Sequence, residues 1–459
     1  MKRRSFIRNT VAGAAGAIIV PTIIPSCVLK KGPSGKIRIA QIGCGRIARG
    51  HDMFDTFRSE DALLVACCDV DRKRALEGKE LLREWYLEKT GDADYLDIKT
   101  CTDYRELLED KSIDAVIIST PDHWHAQPAM EAALAGKDIY LQKPTSLTIK
   151  EGRQMADVIK KTGRIFQIGS QQRSVSPWPQ FKKACELVRN GRIGQVKEIY
   201  IGLPGDPSGE EELEMPIPDN LDYDMWLGST PEVYYTEKRV HPQEGYDRPG
   251  WLRCEQFGAG MITGWGAHHI DTAHWAMGTE FTGPIEVEAE AQFPASGLWN
   301  VHGDFKVWAR YENGTIMHIS GDYPNGVKFV GEDGWIFVAR GAYSVTASDP
   351  AAKEESQKAL AASDSTILES VIREDEIHLH HAAEQHQDWI DSINTREEPV
   401  APVEVAHRSC SACLVSHIAM KFDRKLYWDP VAEKFRDDDE ANAMLSRPQR
   451  SPYGTDLVV

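Results

Sequence analysis

The sequence predicts an α/β protein of two domains, a doubly wound parallel sheet followed by a domain built on a largely antiparallel sheet. Three observations carry this. From Ile37 to about residue 160, short apolar runs of the kind buried on both faces alternate with helical stretches. A glycine-rich turn, Gly43-Cys44-Gly45-Arg46-Ile47-Ala48, joins the first strand to the first helix. Beyond residue 160 the strand-like runs follow one another across turn residues.

Taken in order, Arg3-Arg4-Ser5-Phe6-Ile7-Arg8 and the apolar run from Val11 to Pro25 have the layout of a twin-arginine export signal. The run is broken by glycine and proline and is too short to span a bilayer as a helix. Ile24-Pro25-Ser26-Cys27 resembles a bacterial lipobox, so a periplasmic location with a lipid anchor through Cys27 is expected. Residues 1–35 are therefore assigned to signal and tether, 36–160 to the dinucleotide-type domain and 161–459 to the second domain. In the first domain, strands are expected at Ile37–Ile42, Leu63–Cys68, Ala115–Ser119 and Ile139–Leu141. Helices are expected after Gly45, over 71–88 and over Ala126–Ala135, the last closed by Gly136. In the second, strands are expected at Val196–Gly202, Ile285–Phe293, Phe305–Tyr311, Thr315–Gly321 and Gly334–Ala339, with a hairpin turn at Glu312-Asn313-Gly314. Residues 349–377 read as a polar insertion, and helices are expected at 380–394 and 402–421.

A lone GxGxxA is a weak signal. Here it follows a strand, opens a helix, and is answered by Asp69 at the end of the next strand, close to the spacing of a ribose-binding acid. This is the fingerprint of a Rossmann domain. Gly43 and Gly45 allow a tight turn and close approach of a pyrophosphate, and the helix start beginning at Arg46 and Ile47 supplies amides and a favourable dipole. A carboxylate at Asp69 would bond the ribose hydroxyls and repel a 2′-phosphate, which favours NAD; Arg72 nearby keeps NADP as the minor alternative.

The net charge of −17 disfavours nucleic acid and anionic membranes as partners and points to a neutral small molecule. The nine cysteines form no disulfide framework or zinc pattern; Cys410-Ser411-Ala412-Cys413 has CxxC spacing but sits in an expected helix, and Cys67-Cys68 in a strand, so both read as core.

Longer segments resemble the Gfo/Idh/MocA oxidoreductases, from Lys36 to near the C-terminus. Thr120-Pro121-Asp122-His123-Trp124-His125 resembles the family segment beside the nicotinamide. Ala135-Gly136-Lys137-Asp138-Ile139-Tyr140-Leu141-Gln142-Lys143-Pro144 resembles its AGKHV…EKP signature, and Gly264-Trp265-Gly266-Ala267-His268-His269-Ile270-Asp271 its D-x-G-x-H-x-x-D helix start. The resemblance implies an N-terminal Rossmann domain plus a C-terminal α/β domain with a large open, mostly antiparallel sheet that usually forms an oligomer interface. It implies Lys143 and His268 as the catalytic pair, and Thr120, Pro121, His123, His125 and Lys143 as cofactor contacts beside Gly43, Gly45, Arg46, Ile47 and Asp69. An ammonium group suits the charge that develops on a sugar oxygen in hydride transfer, and an imidazole suits proton abstraction near neutral pH. Two positions depart from the pattern: Gln142 replaces the glutamate of EKP, and Gly264 replaces the aspartate four residues before the histidine, so either another acid orients His268, with Asp271 the candidate, or the chemistry differs.

Gly169-Ser170-Gln171-Gln172-Arg173 resembles a family loop that enters the active site. With Tyr223, Trp226, Arg239, Trp251, His268 and His269, Gln172 and Arg173 make up the expected sugar-binding set, since sugars stack C–H faces on aromatics and need fixed polar partners. His268, His269, Asp271 and His274 share one helix but have no second cluster to pair with, so no metal site is assigned. The expected function is an NAD(P)-dependent oxidoreductase acting on a sugar, glycoside or polyol hydroxyl, with tightly bound NAD to suit an exported enzyme. The alternatives are a redox-neutral NAD-dependent glycoside hydrolase and a non-catalytic sugar-binding protein on the same scaffold.

Overall fold

The computed structural model describes residues 35–341 and 359–459. The export signal, Cys27 and the tether through residue 34 lie outside the described residues, as do residues 349–358 of the polar insertion.

The first sheet has six parallel strands: β1 Ile37–Ile42, β2 Ala62–Cys68, β3 Lys99–Cys101, β4 Ala115–Ile118, β5 Asp138–Leu141 and β6 Phe166–Ile168. Their order is β3-β2-β1-β4-β5-β6, the doubly wound arrangement. Every residue of β2, β4 and β5 is buried, which is why these strands read as continuous apolar runs. The helix Arg72–Thr90 starts where the Asp71 carboxylate accepts from the amides of Lys73 and Arg74, and stops at Gly91 in the left-handed region. The first helix is not regular: residues Ala48–Asp52 form a π-turn before α-helix resumes at Met53–Phe57.

The second sheet has nine strands. They are β7 Val196–Gly202, β8 Glu286–Ala291, β9 Phe305–Arg310, β10 Ile316–Ser320, β11 Gly326–Gly331, β12 Trp335–Val338, β13 Leu360–Ala362, β14 Leu426–Asp429 and β15 Lys434–Phe435. The order is β13-β12-β11-β7-β10-β9-β8-β14-β15, and all neighbours are antiparallel except β7 and β10. The turn at Glu312-Asn313-Gly314 joins β9 to β10 as expected, with Gly314 at φ +87°. Burial alternates along β8 and β9 because one face is covered by the helices Pro179–Arg189, Gly266–Met277 and Val403–Ala419 and the other is open.

The boundary at residue 160 does not survive in space. β6 extends the first sheet beyond it, and Trp389, Ile390 and Ile393 of the helix Gln385–Thr395 return to the first core beside β5. The helix Val403–Ala419 then packs on both Ile149–Thr162 and Gly266–Met277, tying the two domains together. Cys410 and Cys413 lie buried in this helix, and all eight described cysteines are free thiols. Among the described residues, no helix is long and apolar enough to cross a membrane.

Candidate active site

One cleft runs along the C-terminal ends of β1, β2, β4 and β5, the place where open α/β sheets bind ligands, and is closed on its far side by the second domain. Its first part is the glycine turn. Gly43 sits at φ +81°, and a Cβ there would lie 2.7 Å from the Ser119 carbonyl oxygen, so only glycine fits. A Cβ on Gly45 would meet nothing within 4 Å; it would project into the open cleft that Gly45, Arg46 and Ile47 line. Asp69 lines the same end. Its carboxylate accepts from the amides of Cys44 (2.8 Å) and Asp71 (2.9 Å), and burial pushes its pKa up. The next acid, Asp71, caps the following helix, and despite burial its bonds with His241 and Asn220 hold it at about 2. A dinucleotide fits this cradle: the turn leaves backbone exposed, the helix start faces it, and an acid stands at the ribose end. Arg72 is exposed and lies off the cleft; Arg74 lines this end together with Arg46, and its guanidinium donates to the Pro242 carbonyl (2.7 Å) and stacks on Tyr246.

The second part is reactive. Thr120, Pro121 and Asp122 follow β4, Gln142 and Lys143 follow β5, and His268, Trp265 and Gly264 face them from the second domain. Burial drives the His268 pKa well down, and the positive charges of Arg340 and Lys143 drive it further, so its imidazole is neutral at physiological pH. Its Nδ1 is buried without a hydrogen-bond partner. Asp122 is the opposite case: burial raises it to about 8, only partly countered by Lys143, and its Oδ2 has no partner. A Cβ on Gly264 would meet the side chains of Leu252 and Met261 at 3.4 Å, so the wall at the position where an aspartate was expected is apolar here.

Several expected contacts are placed elsewhere. Asp271 does not orient His268. Its carboxylate takes a bidentate pair from Arg173 (2.7 and 2.9 Å) and a bond from Ser409 (2.8 Å). Arg173 is correspondingly a fully buried structural cation, bonded also to Glu280 (2.7 Å), and does not reach the cleft; a guanidinium at that depth has to be paired. His125 holds the loops after β4 and β5 together, its ring set between the carbonyls of Thr120 (2.8 Å) and Pro144 (2.5 Å). His123 bonds the Trp226 carbonyl (2.8 Å) and packs against Phe257. Tyr223 donates to the Tyr234 carbonyl (3.1 Å), Arg239 stacks on the Tyr234 ring, and His269 bonds Asn325 (2.6 Å). None of these lines the cleft; their hydrogen bonds run to neighbouring backbone and side chains. Gln172 lies just behind the wall. With its amide turned to satisfy both ends, it donates to Thr272 (2.8 Å) and the His268 carbonyl (3.1 Å) and accepts from Arg340 Nε (3.0 Å). Of the expected substrate set, Trp226, Trp251 and His268 do line the cleft.

Sequence reasoning missed Arg340. It follows β12, is stacked between Trp178 (4.1 Å) and Trp265 (4.8 Å), and presents a buried guanidinium beside His268. No motif marks it. His51 was also missed, although a histidine one helical turn beyond the glycine loop could have been suspected.

Comparison with known proteins agrees with this geometry. Residues 37–170 match the model of an oxidoreductase family with an NAD-binding Rossmann fold, and residues 206–346 and 355–455 match the family's C-terminal alpha/beta domain. The chain is 33% identical over 226 residues to a myo-inositol 2-dehydrogenase of Thermotoga maritima, covering 47% of this chain and 62% of that one. It is 27% identical over 253 residues to a glycosyl hydrolase family 109 protein of Stenotrophomonas maltophilia, covering 55% and 52%. Alignments span about half the length of the curated relatives matched. The WlbA dehydrogenase of Bordetella pertussis, solved with NADH and UDP-GlcNAcA, shares the fold with a TM-score of 0.58 at 17% identity, over 86% of this chain and 98% of that one. With both of its domain models matched and the glycine turn, Lys143 and His268 converging on one cleft, the chain belongs to the Gfo/Idh/MocA oxidoreductase family.

Proposed function

We propose that this protein is a nicotinamide-dependent oxidoreductase acting on a hydroxyl of a sugar, glycoside or polyol, with NAD held tightly in the cleft. The observation that carries this is the single cleft that begins at Gly43, Gly45 and Asp69 and ends between Lys143 and a neutral His268. Its relatives include proteins named as inositol dehydrogenases. The Asp69 carboxylate at the ribose end favours NAD over NADP.

Gly43, Gly45, Arg46, Ile47, Asp69, Thr120, Pro121 and Lys143 would hold the cofactor, which when bound supplies the hydride acceptor and donor. The chain's own residues do the rest. Lys143 holds the reacting oxygen and offsets the negative charge that grows on it. His268, kept neutral by burial and two neighbouring cations, takes the hydroxyl proton in oxidation and returns it in reduction. Asp122, with no aspartate at position 264, is the acid nearest in kind to the missing group; its carboxyl, raised to about 8 beside the Lys143 cation, can pass on a proton. Trp226 and Trp251 offer apolar faces to a sugar ring, and Arg340 a fixed donor.

A second reading, a redox-neutral glycoside hydrolase, is favoured by the relatives named as glycosyl hydrolase family 109 proteins. The same residues would serve, with proton removal next to an oxidised carbon added. One experiment separates the readings. The purified protein is denatured, the released nucleotide identified, and the absorbance of bound nicotinamide followed while a panel of polyols and chromogenic glycosides is added. Net reduction by a polyol supports the dehydrogenase; release of the chromogen without net reduction supports the hydrolase; bound nucleotide with neither makes the protein a sugar-binding scaffold.

The reading extends to location and assembly. The twin-arginine pattern and Cys27 support export and lipid anchoring. The open face of the second sheet carries a continuous row, Phe337, Lys328, Tyr200, His318 and Trp308, each only partly buried, and this face is proposed as the contact between copies of the chain.

A further inference from the structure

We infer that His51, Asp52 and His386 form a binding site for a first-row divalent metal ion in the wall of the cleft. A ring nitrogen of His51, a carboxylate oxygen of Asp52 and a ring nitrogen of His386 all lie within 4.8 Å of one another. His51 Nδ1 is 3.2 Å from Asp52 Oδ1, and His386 Nε2 is 3.4 Å from the same oxygen. Charge-assisted hydrogen bonds are shorter, about 2.7–2.9 Å. With metal–ligand bonds of about 2.0–2.1 Å, the edge of a coordination tetrahedron is about 3.3 Å. The two separations match that edge. His386 is 2% exposed, and its Nε2 has no hydrogen-bond partner, which is costly for a buried nitrogen unless something else satisfies it.

The surroundings fit outer-shell support. Gln142 Nε2 donates to Asp52 Oδ1 (2.7 Å) and Ser119 Oγ to Oδ2 (2.6 Å), fixing the carboxylate; the other acceptor position of Oδ1 is turned to His51 Nδ1 (3.2 Å), the contact that an ion would replace. The other nitrogen of His386 faces Asp55 at 3.8 Å, and its ring is stacked on Tyr140 at 4.1 Å. The local backbone explains how neighbours in sequence can share the site: His51 and Asp52 fall in the π-turn Ala48–Asp52, a distortion common at functional sites. His386 arrives from the helix Gln385–Thr395, so an ion here would tie the start of the first domain to the C-terminal helices. His51 is 27% exposed and lines the cleft beside Gln142 and Lys143, which gives the ion a route in and leaves its remaining positions facing the cleft. Two imidazoles and one carboxylate are a donor set for zinc, cobalt or iron(II) and a poor one for calcium or magnesium.

The test uses the full-length protein stripped by chelator. Zn2+ is titrated by calorimetry, and Co2+ is followed by its ligand-field absorption. The expected result is one saturable equivalent per chain, a cobalt spectrum typical of low-coordinate nitrogen and oxygen ligation, and a rise in Tm with zinc. His51→Gln and His386→Ala should each weaken binding by more than the roughly 10–100-fold lost with an outer-shell partner. His51→Gln is the safer variant, because that side chain is partly exposed and its fold can be checked by circular dichroism. No saturable uptake by the wild type overturns the proposal. So does uptake that survives both substitutions and is lost on changing His378, His380 and His381, which would place the ion on that exposed segment.

Discussion

At the scale of single residues, the cleft separates side chains that face the chemistry from those that only hold it. Lys143 and His268 line the cleft and are in the first group in the proposed mechanism. Lys143→Met should keep the fold and bound nucleotide and slow hydride transfer by about two to three decades, the effect of one preorganised donor. His268→Ala should cost about two to four decades if it is the base. Single-turnover nicotinamide absorbance reads both; an unchanged rate in both variants removes the site assignment and leaves nucleotide binding intact. Arg173 belongs to the second group. Arg173→Leu leaves the buried Asp271 without its cation and Glu280 with only Arg189 (3.7 Å), and should lower stability by about 3–5 kcal/mol, seen as a fall in urea midpoint. If that variant folds, its substrate KM should be close to wild type. A large KM change with normal stability would return Arg173 to the substrate set.

At the scale of elements, the strand–turn–helix at Gly43 makes two different demands on two glycines. Gly43→Ala puts a Cβ 2.7 Å from the Ser119 oxygen and a side chain at φ +81°, so the loop must shift. A loss of about 1–3 kcal/mol is expected for the backbone strain, with nucleotide content falling too. Gly45→Ala meets no protein atom, so the Tm of nucleotide-free protein should stay as it is while nucleotide retention drops. Equal effects of the two substitutions on the nucleotide-free Tm would contradict this division. The helix Gly266–Met277 shows a second element doing two jobs: His268 faces the cleft, while Asp271, His274 and most of the remaining surface are buried in packing.

At the scale of the whole molecule, the abundance of buried neutral histidines governs response to acid. Burial lowers His123, His269 and His302 to about 3 and His125 and His274 to about 4. The unfolded chain protonates each near 6.5, so below that pH it binds more protons than the folded protein, and stability falls as pH falls. Each group contributes about 1–1.5 kcal/mol per pH unit between roughly 6 and 4. Thermal melts should therefore show Tm dropping by several degrees between pH 7 and 5.5, before most carboxylates titrate; a flat Tm over that range would mean the histidines are paired as cations. The proposed export is also a matter of the whole chain. Changing Arg3 and Arg4 together to Lys should leave precursor in the cytoplasm, and Cys27→Ala should move mature protein from the membrane to the soluble fraction, both read by fractionation and blotting.

The sequence by itself determined the fold class, the glycine turn with Asp69, and the positions of Lys143 and His268, because these rest on local rules. Period and burial make strands legible, a left-handed turn demands glycine, and a motif keeps its chemistry within a few residues. It could not say which polar residues would be used up in packing. Arg173, Asp271, His125 and His269 have the chemistry of site residues, and only the tertiary structure paired them with partners as distant as Glu280, Ser409, Pro144 and Asn325. It could not place the domain boundary either, since the helix Gln385–Thr395 completes the first core from the far end of the chain. The same return brings His386 to His51 and Asp52, and the loop after β12 brings Arg340 to His268. Contacts between residues hundreds of positions apart follow from how the layers pack, and no spacing along the chain encodes them.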